Sequence, residues 1–477
     1  MLFRSSTPSF DMNIEGFHTG QHLANARKQA DMRGLDDVLV VDVDCHHYET
    51  DNFAEILDYI EDPSLKQVAL NTYAYKGPSA VLYDQPGYQD VGGRVTRYLE
   101  RKGEKIPNDG RPREVAQTLR WMDALSVDYA CLFPTPMLFL GLHPQPEVEV
   151  NMARAYNRWI TDNILPSNKR LRSMLYLPFN DPEATYKMVQ EYGKKDGVIG
   201  FMVVSTRYKP VYDNAYMKTY ALLEEMGLPL SFHASYHWND QLVSLTNRFI
   251  TAHAVGFTFF NAVHCANWVV NGLPERFPKL KVIWIESGLA WIPWLMQRLD
   301  NDYRMRTSEA PALKKLPSEY MRDMYYTTQP MEMVNNHKAL ELTFEMINAD
   351  TQLLYSSDYP RLGHGPAVDD LGPAVPDRAV EAQHPRPECK ARVRPRCVGP
   401  LPRQPRPGGI AAGRHMAAGS RAGRIGRHRA DRTRQIRGNV HARYGRTPSV
   451  DRTLFHVHRR RGGTGRLRPH HREPQPV

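Results

Sequence analysis

The sequence lacks features that mark several classes of protein. Its five cysteines form no CxxC pair, so neither a disulfide framework nor a CxxC zinc module is indicated. No apolar run approaches the ~20 residues that cross a bilayer. The first residues, MLFRSSTPSFDMN, hold no apolar stretch of the kind found in secretory signals. These absences predict a protein of the reducing cytoplasm with no membrane partner.

Aromatic residues are almost missing from the last 117 residues. Residues 361–477 contain two aromatics, Tyr444 and Phe455, against 45 in residues 1–360. The same segment holds 25 Arg, one Lys and 8 acidic residues, whereas residues 1–360 hold 36 basic and 44 acidic residues. The overall charge of +10 therefore comes from this tail. With so little apolar side-chain area, residues 361–477 are predicted to be disordered.

Residues 37–360 show the pattern of an α/β barrel. Short apolar, β-branched runs alternate with amphipathic stretches of helical length. The eight predicted strands are 37–46, 128–135, 171–179, 198–204, 229–235, 281–287, 324–330 and 352–359. The predicted helices include 146–164, 213–226, 256–271, 290–303 and 336–347. Eight such units predict a (β/α)8 TIM-type barrel, preceded by an N-terminal arm at 1–36. Residues 61–112 are too long for an ordinary βα connection and are predicted to form a lid.

Polar side chains stand where several of these strands end. Asp44 and His46 are two residues apart in VDVDCHHYE, so both point to one side of the first strand. The carboxyl ends of barrel strands meet at one face, where the chemistry of such barrels occurs. The other strand-end residues are His233 in LSFHASYHW, Glu286 in VIWIESG and Asp358 in YSSDYP.

Together these residues predict a metal site. Two carboxylates and two imidazoles, from Asp44, His46, His233 and Asp358, can hold one divalent cation, with Zn²⁺ expected and Mn²⁺ as the alternative. Taken singly, each has an ordinary structural interpretation. Asp44 alone could be a cap or an ion-pair partner, and a lone histidine is more often a satisfied or exposed side chain than a ligand. The hypothesis therefore rests on the set of four at one barrel face.

These motifs resemble the amidohydrolase-related family, the branch of the metal-dependent amidohydrolase superfamily that includes aminocarboxymuconate-semialdehyde and hydroxybenzoate-type decarboxylases. The resemblance lies in DVDCHHYE, SFHAS, NGLPERFPKLKVIWIESG and YSSDYP, and it spans residues 37 to 360. It implies the same four metal ligands, a small aromatic or ring-cleavage acid as substrate, and a homo-oligomer in the intact form. The first-strand pair departs from the family pattern, being Asp-x-His where His-x-His or Glu-x-His is usual.

A second departure bears on the reaction. The family's decarboxylases place a catalytic histidine where this chain has Glu286, and a carboxylate does not replace an imidazolium at neutral pH unless its pKa is raised. The sequence therefore favours a hydrolase, with Glu286 or Asp358 taking a proton from a metal-activated water. The alternative is a non-oxidative decarboxylase that uses His237 or His264 as acid. A structural role for His264 on its helix is the more frequent case.

Arg207 follows the fourth predicted strand, in VSTRYKP. A guanidinium at that end of the barrel can pair with a substrate carboxylate, so Arg207 is a candidate substrate-binding residue. An arginine of the protein surface would fit the same sequence position nearly as well.

The tail admits two explanations. Its arginines would bind phosphate backbones, as in a basic-tail nucleic-acid binder on an inert barrel. Alternatively, Arg, Pro, Gly and Ala have GC-rich codons, so a GC-rich gene read out of frame gives this composition. Codons 362–396 read from their second base permit a segment ending NILGRNAKRVFGLD, which resembles the family's C-terminal end. We therefore predict a frame change near codon 361 and no specific nucleic-acid partner.

Overall fold

The protein is a parallel barrel wrapped by helices, seen here in a computed structural model that describes residues 19–359 except 48, 77–109, 208, 236–239, 241 and 333–335. Its eight strands lie in the order of the chain, β1 to β8, and each described pairing is parallel. They are β1 (Val41–His47), β2 (Tyr129–Pro134), β3 (Leu171–Tyr176), β4 (Val198–Val204), β5 (Leu230–His233), β6 (Val282–Ile285), β7 (Tyr325–Thr327) and β8 (Leu353–Leu354). The predicted (β/α)8 fold is confirmed.

Backbone hydrogen bonds join the chain after β8 to β1. Val43 donates to the carbonyl of Tyr355 at 3.0 Å, and His46 donates to the carbonyl of Tyr359. A parallel bridge pairs Cys45 with Tyr359. The first and last strands therefore close the barrel, and the segment after β8 is held against the strand that carries Asp44 and His46.

Helices cover the outside of the strands. They are α1 (Thr19–Arg33), α2 (Phe53–Asp58), α3 (Pro63–Lys76), α4 (Arg113–Leu125), α5 (Pro146–Trp159), α6 (Pro182–Tyr192), α7 (Met217–Met226), α8 (Phe249–Val270), α9 (Leu273–Arg276), α10 (Trp291–Met305), α11 (Pro317–Met321), α12 (His337–Ile347) and α13 (Ala349–Gln352). Local chemistry sets several ends. The Asp181 carboxylate caps α6 by accepting from the N–H groups of Glu183 and Ala184, both at 2.9 Å, and α7 ends at Gly227 with φ 68°.

The strands are apolar because both of their faces are covered. β4, VIGFMVV, and β6, VIWI, are apolar throughout and almost wholly buried, as parallel strands between a barrel core and a helix layer should be. Trp159, Trp268 and Trp284 are among the largest fully buried side chains.

In the described part of the chain, no helix combines the length and hydropathy needed to cross a membrane.

Several predicted boundaries differ from the structure. Part of the predicted N-terminal arm is α1, where Arg27 donates to the Asp123 carbonyl at 3.1 Å, beside the end of α4. The first part of the predicted 61–112 lid is α3, in which Ala69 is buried in the core. The rest of that segment, 77–109, and the tail from 361 lie outside the described residues. Helix α8 begins at Phe249, earlier than the predicted 256.

Candidate metal centre

The side chains of Asp44, His46 and His233 converge inside the barrel mouth. Asp44 Oδ1 is 3.3 Å from Nε2 of His46 and 3.3 Å from Nε2 of His233. The two Nε2 atoms are 3.2 Å apart. All three residues are buried. The predicted first-strand pair and the fifth-strand histidine therefore meet around one small volume.

Asp358 joins this group through the closure of the barrel. Its backbone N–H donates to the carbonyl of Asp44 at 3.0 Å, and its Oδ1 lies 3.5 Å from Nε2 of His46. Ligand-type atoms of His46, Glu286 and Asp358 also lie within 4.8 Å of one another. The five strand-end residues predicted from the sequence thus share one face of the barrel.

The two imidazoles are oriented by backbone carbonyls. Nδ1 of His46 lies 3.1 Å from the carbonyl oxygen of Pro134, and Nδ1 of His233 lies 2.8 Å from that of Ala234. Since a carbonyl only accepts, each Nδ1 carries a proton, and each Nε2 faces the cluster, where it holds a second proton or binds a cation. With both Nε2 atoms deprotonated, their lone pairs and the carboxylate oxygen of Asp44 would repel one another unless a cation lay among them. This arrangement is typical of histidines that bind a metal through Nε2.

The carboxylate of Asp44 fits a cation. Burial raises the pKa of this carboxyl, but hydrogen bonds and positive charge from His233 and His46 outweigh burial and hold the pKa below its ordinary range. Its Oδ2 is buried and, among the described residues, has no hydrogen-bond partner, a costly state for a carboxylate oxygen. A donor set of carboxylate and imidazole suits Zn²⁺ or Mn²⁺. The residues present therefore fit a divalent metal.

Glu286 and Asp358 share an unusual backbone conformation. Glu286 has φ 57° and Asp358 has φ 55°, both in the left-handed region that disfavours residues with a Cβ. The N–H of Glu286 donates to Oγ1 of Thr327 at 3.1 Å, and its Oε2 lies 3.6 Å from Nδ1 of His233. Each strand therefore turns sharply at its end and directs a carboxylate at the cluster.

His264 and Arg207 lie on the other side of the strands. The Nε2–H of His264, on α8, donates to the carbonyl of Ser205 at 2.7 Å. Burial, assisted by the charge of Arg207, holds the pKa of His264 well below its ordinary value, so the ring is neutral. Phe232 precedes His233 and so faces the helix layer, where its ring stacks on Trp284 at 4.6 Å.

The guanidinium of Arg207 stands over two rings of this layer. It lies 4.8 Å from the ring centre of Phe179 and 5.4 Å from that of Phe232. The structure does not bring Arg207 or His264 into the cluster around Asp44, and substrate binding by Arg207 stays a prediction. His237 lies outside the described residues.

Two buried carboxylates that the sequence analysis missed support the site. Asp42 Oδ1 accepts from the N–H of Asp44 at 3.0 Å and from that of Ser357 at 3.2 Å, which ties β1 to the loop that carries Asp358. Glu49 accepts from the N–H groups of Thr135 and Met137 at 2.9 and 2.7 Å. Both stand in the VDVDCHHYE motif. An acidic residue in or beside an apolar strand was the signal that could have predicted a buried carboxylate at these positions.

Known proteins share this fold and its motifs. The matching family model is described as Amidohydrolase and covers residues 43–392, which include every residue of the cluster. A gamma-resorcylate decarboxylase from Polaromonas sp. (strain JS666 / ATCC BAA-500) is 24% identical over 218 residues, 44% of this chain and 65% of that protein. One from Rhodococcus jostii (strain RHA1) is 21% identical over 230 residues, 46% of this chain and 68% of that protein.

A solved amidohydrolase from Mycobacterium avium subsp. paratuberculosis K-10 has the same fold. The two structures match with a TM-score of 0.52 at 18% identity, over 72% of this chain and 96% of the other. The resemblance expected from the sequence is confirmed, because the family model covers most of the chain. This protein belongs to the amidohydrolase family.

Proposed function

We propose that the protein is a divalent-metal-dependent decarboxylase of a small aromatic acid. The observation that carries the proposal is the cluster in which Asp44 lies 3.3 Å from Nε2 of both His46 and His233. The choice of reaction is supported by the two relatives named gamma-resorcylate decarboxylase. These relatives favour the decarboxylase alternative over the hydrolase that the sequence analysis preferred. That preference rested on Glu286 alone.

In this proposal Asp44, His46, His233 and Asp358 hold the metal. The donor set suits Zn²⁺, and Mn²⁺ is the alternative. Such a cation would supply positive charge for the carboxylate of an aromatic acid and would draw electrons from its ring. Asp42 and the carbonyls of Pro134 and Ala234 keep the ligands in place, because each contacts a ligand residue through a hydrogen bond.

The reaction needs one proton at the ring. When the bond between the ring and the carboxylate carbon breaks, carbon dioxide leaves and the ring carbon keeps the electron pair, so an acid must supply a proton there. Glu286 is the best-placed donor among the described residues, since its buried carboxyl lies beside the cluster at 3.6 Å from His233 Nδ1. It would give the proton from its uncharged form, which burial favours over the carboxylate. It would take its next proton from water. His264 is not available, because its Nε2–H is bonded to the Ser205 carbonyl in the helix layer.

The test uses hydroxybenzoates labelled with ¹³C in the carboxyl group, with gamma-resorcylate among them. We expect labelled carbon dioxide and, in heavy water, one deuterium on the ring of the product. The hydrolase alternative predicts ¹⁸O from labelled water in the product of an ester or amide substrate, with no carbon dioxide. Absence of labelled carbon dioxide from every substrate of the panel, with metal bound, would contradict the proposal.

A further inference from the structure

A single buried amide joins three strand ends beside the metal cluster. Asn261 lies on α8 and is fully buried. Its Nδ2 donates to the carbonyl of Phe232 at 3.0 Å and to that of Ile285 at 3.2 Å. Its Oδ1 accepts from the hydroxyl of Ser205. The amide therefore connects the end of β5, the end of β6 and the residue that follows β4.

The partners fix the orientation of this amide. Both carbonyls can only accept, so they define the NH₂ side, and the hydroxyl of Ser205 is the donor for Oδ1. The N–H of Ser205 also donates to the carbonyl of His233 at 2.9 Å. A buried amide that loses its hydrogen-bond partners destabilises the folded state. This network therefore resists displacement of any one strand end.

The two bridged carbonyls belong to the residues directly before His233 and Glu286. β5 and β6 are only four residues long, and Glu286 turns into the left-handed region immediately after β6. A small slide of one strand against the other would change the separation of 3.6 Å between His233 Nδ1 and Glu286 Oε2. The directions of both side chains at the cluster would change with it.

We infer that Asn261 is a positioning residue, which sets the relative placement of His233 and Glu286 and thereby the affinity of the site for its metal. The inference rests on the proposed function, because it assumes that His233 is a ligand. The effect of Asn261 is carried by the carbonyls of Phe232 and Ile285.

The chain offers a matched control in Asn157. This asparagine of α5 is also fully buried. Its Nδ2 donates to the carbonyl of Tyr176 at 2.8 Å, and its Oδ1 accepts from the N–H of Tyr176 at 3.2 Å. Asn157 thus joins a helix to β3 by the same chemistry, but β3 carries none of the residues of the metal cluster. Loss of either amide should destabilise the fold similarly.

The experiment compares Mn²⁺ and Zn²⁺ dissociation constants of the wild type, Asn261→Ala, Asn261→Asp and Asn157→Ala, with thermal unfolding as the check on folding. We expect the Asn261 variants to bind metal at least about tenfold more weakly, while Asn157→Ala binds as the wild type does. Ser205→Ala removes the hydroxyl that lies between Asn261 Oδ1 and the carbonyl of His233. It should weaken binding by a smaller factor and serves if the Asn261 variants do not fold.

Two results would overturn the inference. Metal binding by a wild-type protein and equal affinities in all variants would refute the role of Asn261 alone. A wild type that binds neither metal would refute the proposed function, and the positioning role with it.

Discussion

The backbone N–H of Asp358 donates to the carbonyl of Asp44 at 3.0 Å. This bond joins the segment after the last strand to the first strand, and it places two carboxylates from opposite ends of the barrel sequence beside His46. The proposed metal site therefore depends on closure of the barrel, and each proposed ligand lies on an element fixed by the fold.

Substitution of a proposed ligand should remove the metal. We expect about one divalent ion per wild-type chain and an affinity more than about a hundredfold lower in His233→Ala, since a first ligand should matter more than its supporting residues. His264→Ala is the control, because His264 is also buried but faces the helix layer. Metal analysis and titration measure both. Equal metal content in His233→Ala would exclude His233 as a ligand.

Substitution of Glu286 should separate metal binding from proton transfer. Glu286→Gln keeps the shape of the side chain but cannot give up a proton, so we expect metal content near that of the wild type. Carbon dioxide release should fall by a factor of about 10² to 10⁴. Incorporation of deuterium into the product ring measures the same step. Unchanged release in Glu286→Gln would assign the proton to another group.

The stability of the fold should depend on Glu149. This buried carboxylate of α5 accepts from the hydroxyl of Tyr176 at 3.2 Å and the N–H of Asn180 at 3.3 Å. Burial nevertheless raises its pKa from 4.5 to about 7. Between these pH values the folded chain holds a proton that the unfolded chain has lost, so stability falls as the pH rises through this window and is level above it.

The matching variant is Glu149→Gln, which cannot ionise. The quantity to compare is the free energy of unfolding of Glu149→Gln minus that of the wild type. This difference should be larger at pH 8 than at pH 4.5 by up to roughly 3 kcal/mol. Denaturant unfolding at a series of pH values measures this difference. Glu147→Gln, an exposed position on the same helix, should not change the pH profile. An identical profile in wild type and Glu149→Gln would show that Glu149 does not titrate in this range.

The gene should decide the origin of residues 361–477. We expect that the reading frame obtained by removing one base near codon 361 is open through the segment ending NILGRNAKRVFGLD. The shorter product should be more soluble and more active than the 477-residue chain. The family match continues to residue 392, past the change of composition. Stop codons in that frame before this segment would refute the frame change and leave the basic tail to be explained by a function of its own.

Much of this fold could be predicted from the sequence because apolar runs and strand ends are local signals. The pair Asp44 and His46 follows from alternation along one strand, and His233 and Asp358 follow from the rule that strand ends meet. The sequence could not predict on which side of the strands Arg207 and His264 lie. Arg207 packs against Phe179 and Phe232, and His264 packs against Phe232, and these contacts form only in the folded chain.

Long-range hydrogen bonds were equally hidden. Asn261 stands in FTFFNAVHC without any motif, and only the folded chain shows that it reaches both Phe232 and Ile285. The left-handed backbone of Glu286 was also unforeseen, because a glutamate gives no local signal for that conformation. The sequence therefore indicated the residues that meet in the cluster but not the residues that place them.

The most direct test measures the rate of carbon dioxide release against the amount of metal bound. Wild-type protein is stripped with a chelator and reloaded in steps with Mn²⁺ or Zn²⁺, with a carboxyl-labelled hydroxybenzoate that the enzyme accepts, and His233→Ala is treated in parallel. The proposed function predicts a rate that rises in proportion to bound metal, saturates at about one ion per chain and stays at background in His233→Ala. Release that is unchanged by metal removal, or absent from the fully loaded protein, would contradict it.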